Sequence, residues 1–89
     1  MNINYFKLIY YFNNSCKACK DYVGVVNKLS DELNIDLTII DIDNGNIRHT
    51  LNGIPTVILE DDKSHVIYRS TGNLPFPNLK KEVMEVLNG

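Results

Sequence analysis

Cys16 and Cys19 are the only two cysteines of the chain, and they stand in the run Ser15-Cys16-Lys17-Ala18-Cys19-Lys20. At this spacing one sulfur can attack a disulfide in another molecule, and the second can complete the exchange by closing an internal disulfide. The run follows an apolar stretch, Tyr5–Phe12, whose pattern predicts a strand. It opens a segment, Cys16–Leu33, whose pattern predicts a helix. On a regular helix, side chains three apart have Cβ atoms about 5–6 Å from each other, whereas a disulfide wants about 3.5–4.5 Å. Closing this one is therefore expected to bend the first turn and to leave a bond that exchanges readily. Cys16, nearest the helix start, faces unpaired backbone N–H groups and the positive end of the helix dipole, and both favour a thiolate. Ser15 suits the N-cap. Lys17 and Lys20 add positive charge, which Asp21 partly offsets.

Magnitudes show where the rate must come from. Cysteines in such pairs reach pKa values near 7, against about 8.5 for a free thiol. A shift of that size raises the thiolate fraction at pH 7 from roughly 3% to roughly half, about fifteenfold, but the lower basicity takes back about fivefold. The net gain in attack is only about threefold. Most of the acceleration must therefore come from the proximity of Cys19, which makes the second displacement intramolecular.

Two plainer readings of the pair stay open at this point. It could be half of a zinc site, which needs two more ligands, and His49 and His65 are the remaining nitrogen candidates, far apart and in no ligand-spaced motif. It could also be a structural bridge. That reading fits poorly with the expectation of a cytoplasmic protein without a secretory signal, whose thiols would be kept reduced.

The elements that must position the pair follow from the rest of the chain. Its 89 residues suffice for one domain, 1–89, with one modest core. A net charge of −2 offers no basic face for nucleic acid. Met1–Phe12 shows neither a cleavage site nor an apolar run long enough to span a bilayer, so a cytoplasmic protein that binds no membrane is expected. The helix carries Tyr22, Val26, Leu29 and Leu33 on one stripe, widened by Val23 and Val25, and ends near Asn34. Gly24 is its weak point, costing about 1 kcal/mol relative to Ala. Leu37–Ile42 predicts a second strand, parallel to the first through a right-handed crossover.

Asp41-Ile42-Asp43-Asn44-Gly45 briefly resembles a calcium loop. It lacks the third oxygen ligand at Gly45, the glycine at Asn46 and a following bidentate Glu, and so reads as a turn. Asn46–Leu51 is expected to form a short helix ended by Asn52-Gly53, with Arg48 and His49 solvated. Thr56–Glu60 and His65–Arg69 predict an antiparallel pair joined by the turn Asp61–Ser64. Pro75 and Pro77 then start a helix with Phe76, Leu79, Val83, Val86 and Leu87 on its apolar face.

The cysteine run, the later run Gly53-Ile54-Pro55-Thr56-Val57, and Gly72 after a strand pair stand in the order seen in one family. In these motifs the chain resembles the thioredoxin and glutaredoxin superfamily. The resemblance covers essentially the whole chain. It implies an α/β minimal thioredoxin fold, β-α-β-α-β-β-α, with a four-stranded mixed sheet flanked by helices. It implies Cys16 as nucleophile and Cys19 as resolving cysteine, with a redox-active Cys16–Cys19 disulfide and no bound cofactor or metal. It further implies that Lys17, Ala18, Ile54, a cis Pro55 and Gly72 line the surface where an extended substrate binds.

The expected function is a thiol-disulfide oxidoreductase that reduces protein disulfides as a monomer, taking electrons from a thioredoxin reductase-like flavoprotein or from glutathione. The alternatives are a glutathione-dependent glutaredoxin and a non-enzymatic binding module on the same fold. The chain also departs from the thioredoxin pattern. Ser15 stands in place of Trp, Lys17-Ala18 in place of Gly-Pro, Tyr10 in place of a buried Asp, and Gly24 in place of a helix-kinking Pro. No proton acceptor for Cys19 is identified.

Overall fold

Successive side chains of a strand point to opposite faces of the sheet, and two runs, Lys7–Phe12 and Thr56–Glu60, carry residues that must be buried on both. These are β1 and β3 of a computed structural model that describes residues 5–89. The remaining elements are α1 (Lys17–Leu33), β2 (Asp36–Asp41), β4 (Val66–Thr71) and α2 (Phe76–Asn88). The four strands form one mixed sheet in the order β2-β1-β3-β4. β2 lies parallel to β1, whereas β3 runs antiparallel to both β1 and β4. The domain expected over 1–89 and the absence of a leader read from Met1–Phe12 both begin in residues 1–4, outside the described residues.

One face of the sheet presents Leu8, Tyr10, Val57 and Leu59 to the helices. There they pack with Tyr22, Val26 and Leu29 of α1 and with Leu79, Val83 and Leu87 of α2. The stripes expected for both helices are thus the ones they bury. On the other face Ile9, Tyr11 and Ile58 lie beneath Ile40, Ile42 and Leu51. α1 ends where Asn34 turns left-handed at φ 55° and returns its N–H to the Ser30 carbonyl. Pro75 opens α2, its carbonyl accepting from the N–H groups of Asn78 and Leu79. Most strand ends differ from expectation by one or two residues, β1 beginning at Lys7 and β4 running to Thr71.

The segment between β2 and β3 departs from expectation. No helix forms over Asn46–Leu51, so the element order is β-α-β-β-β-α. Its backbone groups bond to side chains of the sheet instead. The Arg48 N–H donates to the Tyr11 hydroxyl at 3.2 Å, and the Thr50 carbonyl accepts from Arg69 at 2.6 Å. The expectation that His49 is solvated is also overturned, since its side chain is only 8% exposed. It lies 2.6 Å from Glu60 through Nε2 and 2.6 Å from the Tyr11 hydroxyl through Nδ1. Arg48 stays half-exposed while its guanidinium reaches the same Glu60 at 3.2 Å.

The cause is Glu60, a carboxylate 1% exposed on the central strand, which must find donors because an unpaired buried charge is costly. Burial alone would push its carboxyl up, but the bonds from Arg48 and His49 outweigh that and hold it below the ordinary value. The turn after β2 forms as expected, with the N–H groups of Asn44 and Gly45 on the Asp41 carbonyl.

Gly24 is an exposed position inside α1 where an added Cβ meets nothing within 4 Å. Gly24→Ala should therefore stabilise the protein by about 0.5–1 kcal/mol, or about 2–8 °C in Tm; a thermal melt showing no gain would contradict it. Glu60 has its carboxyl lowered on folding, so its contribution is complete above the ordinary value of 4.5 and is lost as pH falls through the lower folded value. Glu60→Gln should melt well below the parent at pH 7, and the two Tm curves should converge as the pH drops below that range. A gap that stays constant down to about pH 3 would refute this account of Glu60.

Candidate redox site

β1 delivers the chain to the site and a short turn aims it. After Phe12, Asn13 folds back on itself, its side-chain carbonyl accepting from the Ser15 N–H at 2.7 Å and its backbone carbonyl from the Cys16 N–H at 2.9 Å. The turn is also tied sideways, Asn13 donating to Asp43 at 2.8 Å and Asn14 to Asp41 at 2.7 Å. Cys16 therefore leaves the sheet in a fixed direction.

Cys16, not Ser15, is the N-cap of α1. Its backbone is extended, with φ −95° and ψ 103°, and its sulfur accepts from the Cys19 N–H at 3.1 Å. A sulfur in that place fills the role expected of the Ser15 hydroxyl. Because Cys16 stands outside the helix, the pair does not occupy two positions of a regular turn, and the expected bending of that turn is not needed. The two cysteines are joined by a disulfide with their Cα atoms 5.2 Å apart. Their exposures differ: Cys19 is completely buried, whereas Cys16 is partly open to solvent.

Beneath Cys19 lies Tyr10, fully buried on β1, whose hydroxyl donates to the Cys19 carbonyl at 2.5 Å. Burial, reinforced by the neighbouring Tyr22, pushes the Tyr10 phenol up to about 12. It is therefore a neutral donor at every pH where the pair would work, and it offers no base to Cys19. Among the described residues no group of three or more His, Cys, Asp or Glu is placed to hold a metal.

The proline run reaches the same end of the sheet through the β1–β3 pairing, in which Tyr11 lies opposite Thr56. The Ile54–Pro55 peptide bond is cis, Pro55 is buried and Ile54 partly so. Gly72, at φ +98°, sets its N–H 2.8 Å from the Pro55 carbonyl. The two residues after it bind elsewhere. The Asn73 side chain donates to the Ala18 carbonyl at 3.3 Å, and the Leu74 carbonyl accepts from the Tyr22 hydroxyl at 2.5 Å. The loop after β4 thus links the proline run to the cysteine run.

Lys17 and Ala18 lie exposed on the first helical turn between the cysteines, beside Lys20 and Asp21. Cys16, Cys19, Ala18, Pro55 and Gly72 are joined by this chain of bonds, while among the described residues no side-chain hydrogen bond ties Lys17 to it and the apolar side chain of Ile54 has none to offer. Asn73 belongs to no motif of the sequence, and only its place beside Gly72 hints at it.

The family described as TraF, F plasmid transfer operon protein, matches residues 2–67 of the chain. That span holds both cysteines, Tyr10 and the proline run. Among curated proteins none matches. Among solved structures, thioredoxin-2 of a malaria parasite, a component of its protein secretion machinery, is 21% identical with a TM-score of 0.80, over 92% of this chain and 84% of that one. A mutant thioredoxin from Halobacterium salinarum is 21% identical with a TM-score of 0.81, over 93% and 75%. Thioredoxin 1 of Thermosipho africanus is 26% identical with a TM-score of 0.73, over 92% and 94%. By the family match over most of its length and by its sheet, helices and paired cysteines, the chain belongs to the TraF family and to the thioredoxin-like superfamily.

Proposed function

We propose that the protein is a thiol-disulfide oxidoreductase that reduces disulfides in other proteins through Cys16 and Cys19. The observation that carries this reading is the asymmetry of the pair: Cys16 partly open at the start of α1, Cys19 wholly buried behind it. Only the first can meet an outside disulfide, and only the second is protected from competing with it.

The cycle balances with no bound cofactor. The Cys16 thiolate attacks one sulfur of the substrate disulfide, the S–S bond breaks, and the departing substrate thiolate takes a proton from solvent. Cys19 then attacks Cys16, its proton passing to the departing substrate sulfur, which closes the internal disulfide and releases the second substrate thiol. Two electrons pass to the substrate. A reductase or two molecules of glutathione return them. Helix-start N–H groups and the dipole favour the Cys16 thiolate, the form that attacks in the first step.

An extended substrate segment would lie over Lys17, Ala18, Ile54, Pro55 and Gly72, with the backbone of Ile54 available to pair with it. A cytoplasmic location belongs to the same proposal. Among the described residues no helix is long and apolar enough to cross a membrane.

Cys19→Ser should accumulate a mixed disulfide between Cys16 and its substrate, and multiple turnover without added monothiol should fall at least about a hundredfold. Full turnover by that variant would remove Cys19 from the mechanism. In the reduced parent, Cys16 alkylation should show a midpoint below the value of about 8.5 for a free thiol. An ordinary midpoint, with no disulfide reduction, would favour a binding module instead. Reduction of the oxidised protein by glutathione, compared with NADPH plus thioredoxin reductase, identifies the electron donor.

A further inference from the structure

Ala18 and Cys19 contribute consecutive carbonyls to the first turn of α1, and each accepts a side-chain hydrogen bond from a different part of the chain. Tyr10 reaches the Cys19 carbonyl from β1, inside the core, at 2.5 Å. Asn73 reaches the Ala18 carbonyl from the loop after β4, on the surface, at 3.3 Å. Neither donor depends on the disulfide. Both can persist when the bond between Cys16 and Cys19 opens, at the moment when that turn loses its covalent tie and, as the end of a helix, would otherwise fray.

Both donors are themselves held. Tyr10 is fully buried, its ring 6.2 Å from that of Phe12, and its phenol stays protonated up to about 12. Asn73 sits between Gly72, bonded to the Pro55 carbonyl, and Leu74, bonded to the Tyr22 hydroxyl.

We infer that Tyr10 and Asn73 form a two-sided brace that keeps the reduced first turn in the shape of the oxidised one, making them positioning residues for closure of the Cys16–Cys19 disulfide. The inference rests on the redox reading of the pair and adds the residues that set its effective concentration. Without the brace the open turn gains conformations that closure must remove. The loss per bond is bounded by what one hydrogen bond is worth, about two- to tenfold in an equilibrium constant.

The test is the equilibrium of the protein with glutathione. In the closing direction the protein dithiol reduces one oxidised glutathione to two thiols, two electrons and two protons passing from Cys16 and Cys19, so the equilibrium constant is an effective concentration. It is measured for the parent, Tyr10→Phe, Asn73→Ala and the double variant. Tyr10→Phe keeps the buried ring, and Asn73 is exposed, so both variants retain the packing around the site.

The effective concentration should fall about two- to tenfold in Tyr10→Phe, less in Asn73→Ala because its bond is longer and exposed, and furthest in the double variant. Melts supply the second readout. A brace lost chiefly from the reduced turn requires Tm to fall more in the dithiol form than in the disulfide form, where the covalent bond still holds the turn. Bonds that merely stabilise the fold would lower both Tm values equally and leave the glutathione equilibrium where it was. A double variant with the parent's effective concentration overturns the brace while leaving the redox reading intact, whereas a parent that does not exchange with glutathione or dithiothreitol at all overturns both.

Discussion

The antiparallel register of β1 against β3, with Tyr11 opposite Thr56, is the constraint on which the rest of the site depends. β1 runs toward the cysteines and β3 runs away from Pro55, so antiparallel pairing brings two distant stretches to the same end of the sheet. The register is strongly specified because both strands are buried on both faces. A slip of β3 by one residue against β1 would exchange Ile58 and Glu60 with Val57 and Leu59 and would carry the Glu60 carboxylate into the apolar layer under the helices. The hydrophobic pattern that folds the sheet is therefore also what aligns the two functional runs.

The two faces of that sheet are covered in different ways. Toward α1 and α2 the contact is apolar and continuous, and Cys19, fully buried, is bonded to Tyr10 of that layer. On the opposite face a stretch without regular structure is held by polar bonds that converge on Glu60, His49 and Tyr11. A buried carboxylate of this kind is weak evidence for stability as such, because removing the charge from water offsets most of what the pairing contributes. It does specify where the stretch lies, since among the described residues no buried side-chain polar atom is left without a partner in this arrangement. In the neutral imidazole with its proton on Nε2, His49 donates to Glu60 and accepts from Tyr11, whose hydroxyl oxygen is left to accept from Arg48.

The cysteine pair sits where the apolar layer meets the loops. A buried sulfur behind a partly exposed one, a neutral phenol rather than a carboxylate beneath them, and a loop that touches both the proline and the helix start together define a site whose electrostatics come mainly from the backbone. The sulfur of Cys16 caps its own helix in the same way, as the N–H that could stabilise a thiolate there is the one that already points at it.

The features legible in the chain alone are local or periodic. Two cysteines three apart after an apolar run, a helical stripe from Tyr22 to Leu29, β-branched strands and a proline-led final helix each follow from spacing and side-chain type, and each forms in place. The features that needed the folded molecule involve partners distant in sequence. Asn46–Leu51 has a helix-like start and stop, yet the buried Glu60 and Tyr11 on neighbouring strands take its side chains and a backbone N–H, a competition that no local propensity encodes. Asn73 reads as a loop residue until the β4 exit is laid against α1, and the Tyr10 hydroxyl has no evident acceptor until the crossover sets Cys19 above it. Hydrogen bonds are short and directional, so a donor becomes part of a site only once the fold has brought its acceptor within about 3 Å.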